Sequence, residues 1–200
     1  MDPSRLKDAP RHSLGALSKA PALSGPGICR DLLADAMTAV ASRRKREVVM
    51  TELYAALMSW AVTLSGYPAP AEPPNVIAEP HSFFVERACN GKECKVLGWY
   101  AGGRNVYVDE SLDPQNNLFA SSIVVHEMVH YLQGVARGDD ALKEGAAFSV
   151  APSCRQLVHW EFEAYAVQKE YIMRYGTYMP VGTAMIDAHC EDGEVAAPGK

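Results

Sequence analysis

Residues 124–133 read VVHEMVHYLQ and set two imidazoles and a carboxylate inside an apolar stretch. His126 and His130 are four apart, so on a helix they share a face, one a turn above the other. Imidazoles so placed converge on one tetrahedral metal ion, with zinc–nitrogen distances of about 2.0–2.1 Å. Glu127 follows the first His. It hangs beside the metal position without binding it, as suits a general base for a metal-activated water. Ile123, Val124, Val125, Met128, Val129 and Leu132 make this helix apolar almost all round, and such a helix is a buried one. Burying three polar side chains there is costly unless they are paired or ligated. A bound metal offsets that cost.

Zinc that keeps one position for water needs a third protein ligand. A His six residues after His130 is excluded, because that position is Ala136. A later helix, with HWEFEAYAVQ at residues 159–168, offers Glu161 and Glu163 instead. The two lie about 200° apart around the axis, so both cannot face one ion. Glu163 shares its face with Val167, Glu170 and Arg174, which reads as solvent-exposed. Glu161 shares its face with Leu157, Ala164, Tyr165, Gln168 and Ile172, which reads as inward and makes Glu161 the expected ligand.

The segment His126–His130, followed by Glu161-x-x-Ala164-Tyr165, resembles the gluzincin branch of zinc metallopeptidases. Their pattern is HExxH, then on a later helix a Glu with a small residue three positions on. The likeness spans roughly residues 105–176 and is to small bacterial members with a minimal zincin-like domain. It implies Zn2+ held by His126, His130 and Glu161, with Glu127 as general base and a peptide or protein as substrate. It also implies that NVYVDE, residues 105–110, is the sheet edge beside the active-site helix, where an extended peptide pairs through its backbone. Many members carry an Asp directly after the small residue, where it orients a metal-binding His; here that residue is Tyr165. Tyr165, His159, Tyr131 and Arg155 are all candidate donors to an oxyanion. A non-catalytic zinc domain, acting as a sensor or interaction module, is the alternative reading. A core His pair without metal is the third.

These residues need a scaffold, and the rest of the chain outlines one. The 200 residues are 48% hydrophobic and 22% charged with net charge −5, as in a globular domain with no nucleic-acid footprint. The one basic run, Ser42–Arg46, is short and reads as a solvated helix face. No apolar run reaches the roughly 18 residues that span a bilayer. Residues 1–28 are rich in Pro, Ser, Ala and Gly and lack an apolar signal core, so they are expected to be a flexible leader. Residues 29–185 are expected to form a single zincin-like domain, and 186–200 a polar tail.

Within that domain, the absence of Gly and Pro from residue 29 to Gly66 predicts one long helix or two in succession. NVIAEP predicts a short strand, and HSFFVERAC a helical turn. KVLGWY and NVYVDE predict two strands joined by AGGR. The HEMVH helix is expected from Leu118 to about Gln133, with Gly134 near its end. A second strong helix over residues 157–175 is closed by Gly176. The order predicts an α+β fold, with a small antiparallel sheet packed on a buried active-site helix and a second helix carrying the third ligand. Of five cysteines, Cys89 and Cys94 flank the turn-forming Asn-Gly and suit a disulfide. That bond would favour an exported or periplasmic location.

Overall fold

The computed structural model describes residues 50–138, 152–186, 188 and 190. The expected leader, the start of the domain at residue 29, the basic run and most of the tail lie outside these. Residues 50–65 are helical (α1), and Gly66 follows with a left-handed φ of 75°. After the Pro-rich connector come β1 (Asn75–Glu79), α2 (His81–Arg87), β2 (Gly98–Tyr100) and β3 (Asn105–Asp109). Two long helices follow, α3 (Leu118–Arg137) and α4 (Cys154–Arg174), then a short 3-10 turn at Thr183–Met185. Among the described residues no helix is long and apolar enough to cross a membrane.

The fold is α+β as expected, but the sheet is mixed, not antiparallel. Its strand order is β1-β3-β2, with β1 parallel to β3 and β2 antiparallel to β3. The cause is the route of the chain. From the end of β1, α2 and the loop after it cross to the far edge, where β2 runs back. The hairpin then inserts β3 into the vacant slot between them. NVYVDE is therefore the central strand and not the edge. Its Val106, Tyr107, Val108 and Asp109 are all buried, as befits a strand covered on both faces. The edge strand against α3 is β2.

Asn117 caps α3, its side chain accepting the Ala120 N–H at 3.1 Å. The helix passes Gly134 and ends at Gly138, which sits in the left-handed region with φ 81°. Gly134 is instead a point of close approach: a Cβ there would collide with the Tyr100 hydroxyl. Ser153 opens α4 through a reciprocal capping box with Gln156.

One core joins Leu57, Met58 and Ala61 of α1, Val106 and Val108 of β3, Val124, Val125, Met128, Val129 and Leu132 of α3, and Ala164, Val167 and Ile172 of α4. Polar side chains cross-link the α3–α4 seam. Ser122 Oγ accepts from Gln168 Nε2 at 3.1 Å, and Ser121 Oγ from the Tyr171 hydroxyl at 3.2 Å. The expected Cys89–Cys94 disulfide is formed, and a second, unforeseen one joins Cys154 to Cys190. Such bonds form and persist in oxidising surroundings.

Candidate metal centre

Helix α3 carries His126 and His130 on one face, and α4 brings Glu161 to meet them. The His126 and His130 Nε2 atoms are 3.1 Å apart. Glu161 Oε2 lies 3.5 Å from His126 Nε2, and its Oε1 lies 3.3 Å from His130 Nε2. Ligands held tetrahedrally at zinc bond lengths stand about 3.3 Å from one another. The three donor groups thus already have the spacing of one coordination sphere, and they are the group of this kind among the described residues that is able to hold a metal ion. His126 is buried, while the Glu161 side chain keeps 39% of its surface exposed, so the site opens on the α4 side.

The electrostatics also favour a cation there. Burial pushes the His130 imidazole down, but the Glu161 carboxylate bonded to it, with Glu127 and Gln133, outweighs this and pushes its pKa up to about 9. Burial pushes the Glu161 carboxyl up, but hydrogen bonds from His126 and His130 and their charge hold it well below the usual range. A positive charge, whether proton or metal, is stabilised between these groups.

Glu127 is buried directly beside them and does not belong to the donor group. Burial raises its pKa, while the two imidazoles and the Tyr100 backbone N–H act in the opposite sense. It fits because β2 presents Gly98 to it: a Cβ on Gly98 would stand 2.7 Å from both Cγ and Oε1 of Glu127. Sequence reasoning missed Gly98, since a glycine inside the expected strand KVLGWY does not show what approaches it.

Glu163 meets the expected solvent face only in part: its side chain is half-buried, with 36% of its surface exposed. It turns inward, accepting from the Tyr67 hydroxyl and from Gln133 Nε2, each at 3.0 Å. The reason is that Val167, on the same face, is itself buried. Leu157, expected inward, is 37% exposed. The choice of Glu161 agrees with the geometry, although the predicted faces were partly misassigned.

The four candidate oxyanion donors separate. Tyr131 is buried and gives its hydroxyl to the Glu72 carbonyl at 2.7 Å. His159 pairs with Glu163 at 3.3 Å. Arg155 lies exposed in the first turn of α4. Tyr165 packs its ring on His126 with centroids 4.4 Å apart. Gly182, with φ 69°, also approaches Tyr165 closely; a Cβ there would come within 2.7 Å of the ring. The outer nitrogen of His126, Nδ1, is buried without a hydrogen-bond partner. That of His130 has one: Nδ1 donates to Gln133 Oε1 at 2.8 Å. Gln133 also escaped sequence reasoning, though a buried amide one turn beyond His130 in an apolar helix was its visible signal.

Comparison with known proteins finds no family model, no curated protein and no solved structure that matches this chain.

Proposed function

We propose that this chain is a zinc-dependent peptidase of the gluzincin type, with His126, His130 and Glu161 as ligands and Glu127 as general base. The observation that carries this reading is the donor spacing of 3.1, 3.3 and 3.5 Å with a buried carboxylate set beside it. When bound there, zinc supplies Lewis acidity that makes water nucleophilic near neutral pH. Glu127 accepts the proton of the attacking water and returns it to the leaving amine. Tyr165, packed on His126, is the donor assigned to the developing oxyanion. An extended peptide or protein segment lies along β2, the edge strand beside Glu127. Two disulfides favour work in an oxidising, exported setting such as a periplasm.

Metal analysis and a peptidase assay on four proteins test this. Wild type is expected to carry stoichiometric zinc and to cleave peptides. Glu161→Ala loses the zinc, and Glu163→Ala retains it. Glu127→Gln retains zinc and loses hydrolysis by at least about a hundredfold. Wild-type turnover in Glu127→Gln would sink the base assignment. A non-catalytic zinc domain is the second reading, favoured by the unpartnered Nδ1 of His126. Stoichiometric zinc without turnover on a broad peptide library would select it.

A further inference from the structure

We propose that Gln133, backed by Glu163, is the positioning residue of this centre and holds His130 with its proton on Nδ1 and its Nε2 lone pair toward the ligand cluster. This role rests on His126, His130 and Glu161 being metal ligands, but its physical basis is a hydrogen-bond chain that exists without metal.

The chain starts at the amide. Gln133 is 2% exposed, so its polar atoms must find protein partners. Its Nε2 donates to the Trp160 carbonyl and to Glu163 Oε2, both at 3.0 Å. A backbone carbonyl and a carboxylate only accept, so the end of the amide that faces them must be the NH2. The opposite end, Oε1, is then the atom 2.8 Å from His130 Nδ1. An amide oxygen only accepts, so Nδ1 must donate. Neutral His130 is thereby left with its free lone pair on Nε2, the nitrogen 3.3 Å from Glu161. Glu163 is held in turn, because Oε2 also accepts from the Tyr67 hydroxyl at 3.0 Å. The chain therefore runs from His130 through α4 to Tyr67, just beyond the end of α1.

No such support reaches the other imidazole. His126 Nδ1 is buried and unpartnered, and Tyr165 packs on its ring. Tyr165 occupies the position where the resemblance led one to expect an orienting carboxylate. Polar orientation of the imidazoles therefore falls to His130, and the groups that supply it are an amide on α3 and a carboxylate on α4. This also gives Glu163 a role distinct from that of Glu161, although the two lie on the same turn of helix.

Two measurements on the full chain test the assignment. The first needs no metal: ring 15N–1H correlation spectra of metal-free protein, at a pH where His130 is neutral. The Nδ1–H form is expected in wild type, and Gln133→Met, similar in size but without the amide, is expected to shift toward the Nε2–H form. Wild-type His130 in the Nε2–H form overturns the proposal. The second is metal affinity, read by chelator competition with zinc and by the visible spectrum of the cobalt-loaded protein. Gln133→Met is expected to bind about 10–100-fold more weakly, with an altered cobalt spectrum. Unchanged affinity and spectrum in Gln133→Met overturn the proposal. A wild type that takes up neither zinc nor cobalt removes the peptidase reading, while the tautomer measurement still decides the role of Gln133.

Discussion

At the scale of single residues, Glu127 depends on an atom that is absent. Gly98 leaves the space that the Glu127 side chain fills, and a methyl group there would meet Cγ and Oε1 at 2.7 Å. Gly98→Ala is expected to displace the carboxylate and lower kcat/KM by about a hundredfold, with zinc content unchanged. Kinetics beside metal analysis check this, and loss of zinc in the variant would mean that the strand and not the carboxylate has moved. The contrast with His126 and His130 explains what was legible at this scale. Their convergence is a property of one helix, so spacing alone declares it. Glu161 needed only the further assumption that α4 turns its inward face to α3. Gly98 and Gln133 act through atoms brought together from separate elements. A glycine at a strand start and a glutamine near a helix end look the same in sequence whether or not anything approaches them.

At the scale of elements, strands and helices were legible where a period existed, and their arrangement was not. β3 carries the β-prone run Val106-Tyr107-Val108, yet nothing local says that it will slot between β1 and β2; that follows from where α2 carries the chain. Gly134 is a second case. Glycine marks a helix end or a close approach, and only the fold tells which. Gly134→Ala gains about 1 kcal/mol in helix propensity. The methyl group would collide with the Tyr100 hydroxyl, so a net loss of about 1–3 kcal/mol is expected. The same change in a Tyr100→Phe background is expected to cost less, by denaturant titration.

A pH-dependent fastening joins α2 to β3. The His81 Nδ1 is 2.8 Å from Asp109 Oδ2, and its Nε2 is 3.1 Å from the Cys94 carbonyl. Both partners only accept, so His81 serves both as the cation. The Asp109 hydrogen bond, chiefly, raises the His81 pKa. Burial pushes the Asp109 carboxyl up, but Ser111 and His81 outweigh it and the net shift is down. A raised His pKa stabilises fully below about 6.5, and the effect fades as pH rises through the folded value. A lowered Asp pKa stabilises above about 3.9, and the effect fades as pH falls through the folded value. The pair therefore contributes most between these limits. Wild type is expected to lose more Tm than His81→Gln between pH 5.5 and pH 8.5, and equal losses would refute the pairing.

At the scale of the whole molecule, the two disulfides differ in what they close. Cys89–Cys94 spans a sequence separation of 5, and Cys154–Cys190 one of 36. Chain entropy gives about 2 kcal/mol for the first and about 4 kcal/mol for the second. Replacing both Cys154 and Cys190 with Ser is expected to lower denaturant stability by more than the matching change at Cys89 and Cys94. Neither bond joins the part of the chain before Gly138 to the part after Ser153, and each of those residues caps its own helix end. A chain opened between them would leave two polypeptides, one holding the imidazoles and the other the carboxylate. Neither would have a complete set of donors, and both would keep their own cross-link. The reunited pair would then bind metal more tightly than either half, so free metal would strengthen an association that the shared core begins. The coordination sphere would act as a coincidence detector that reports the meeting of two separate molecules.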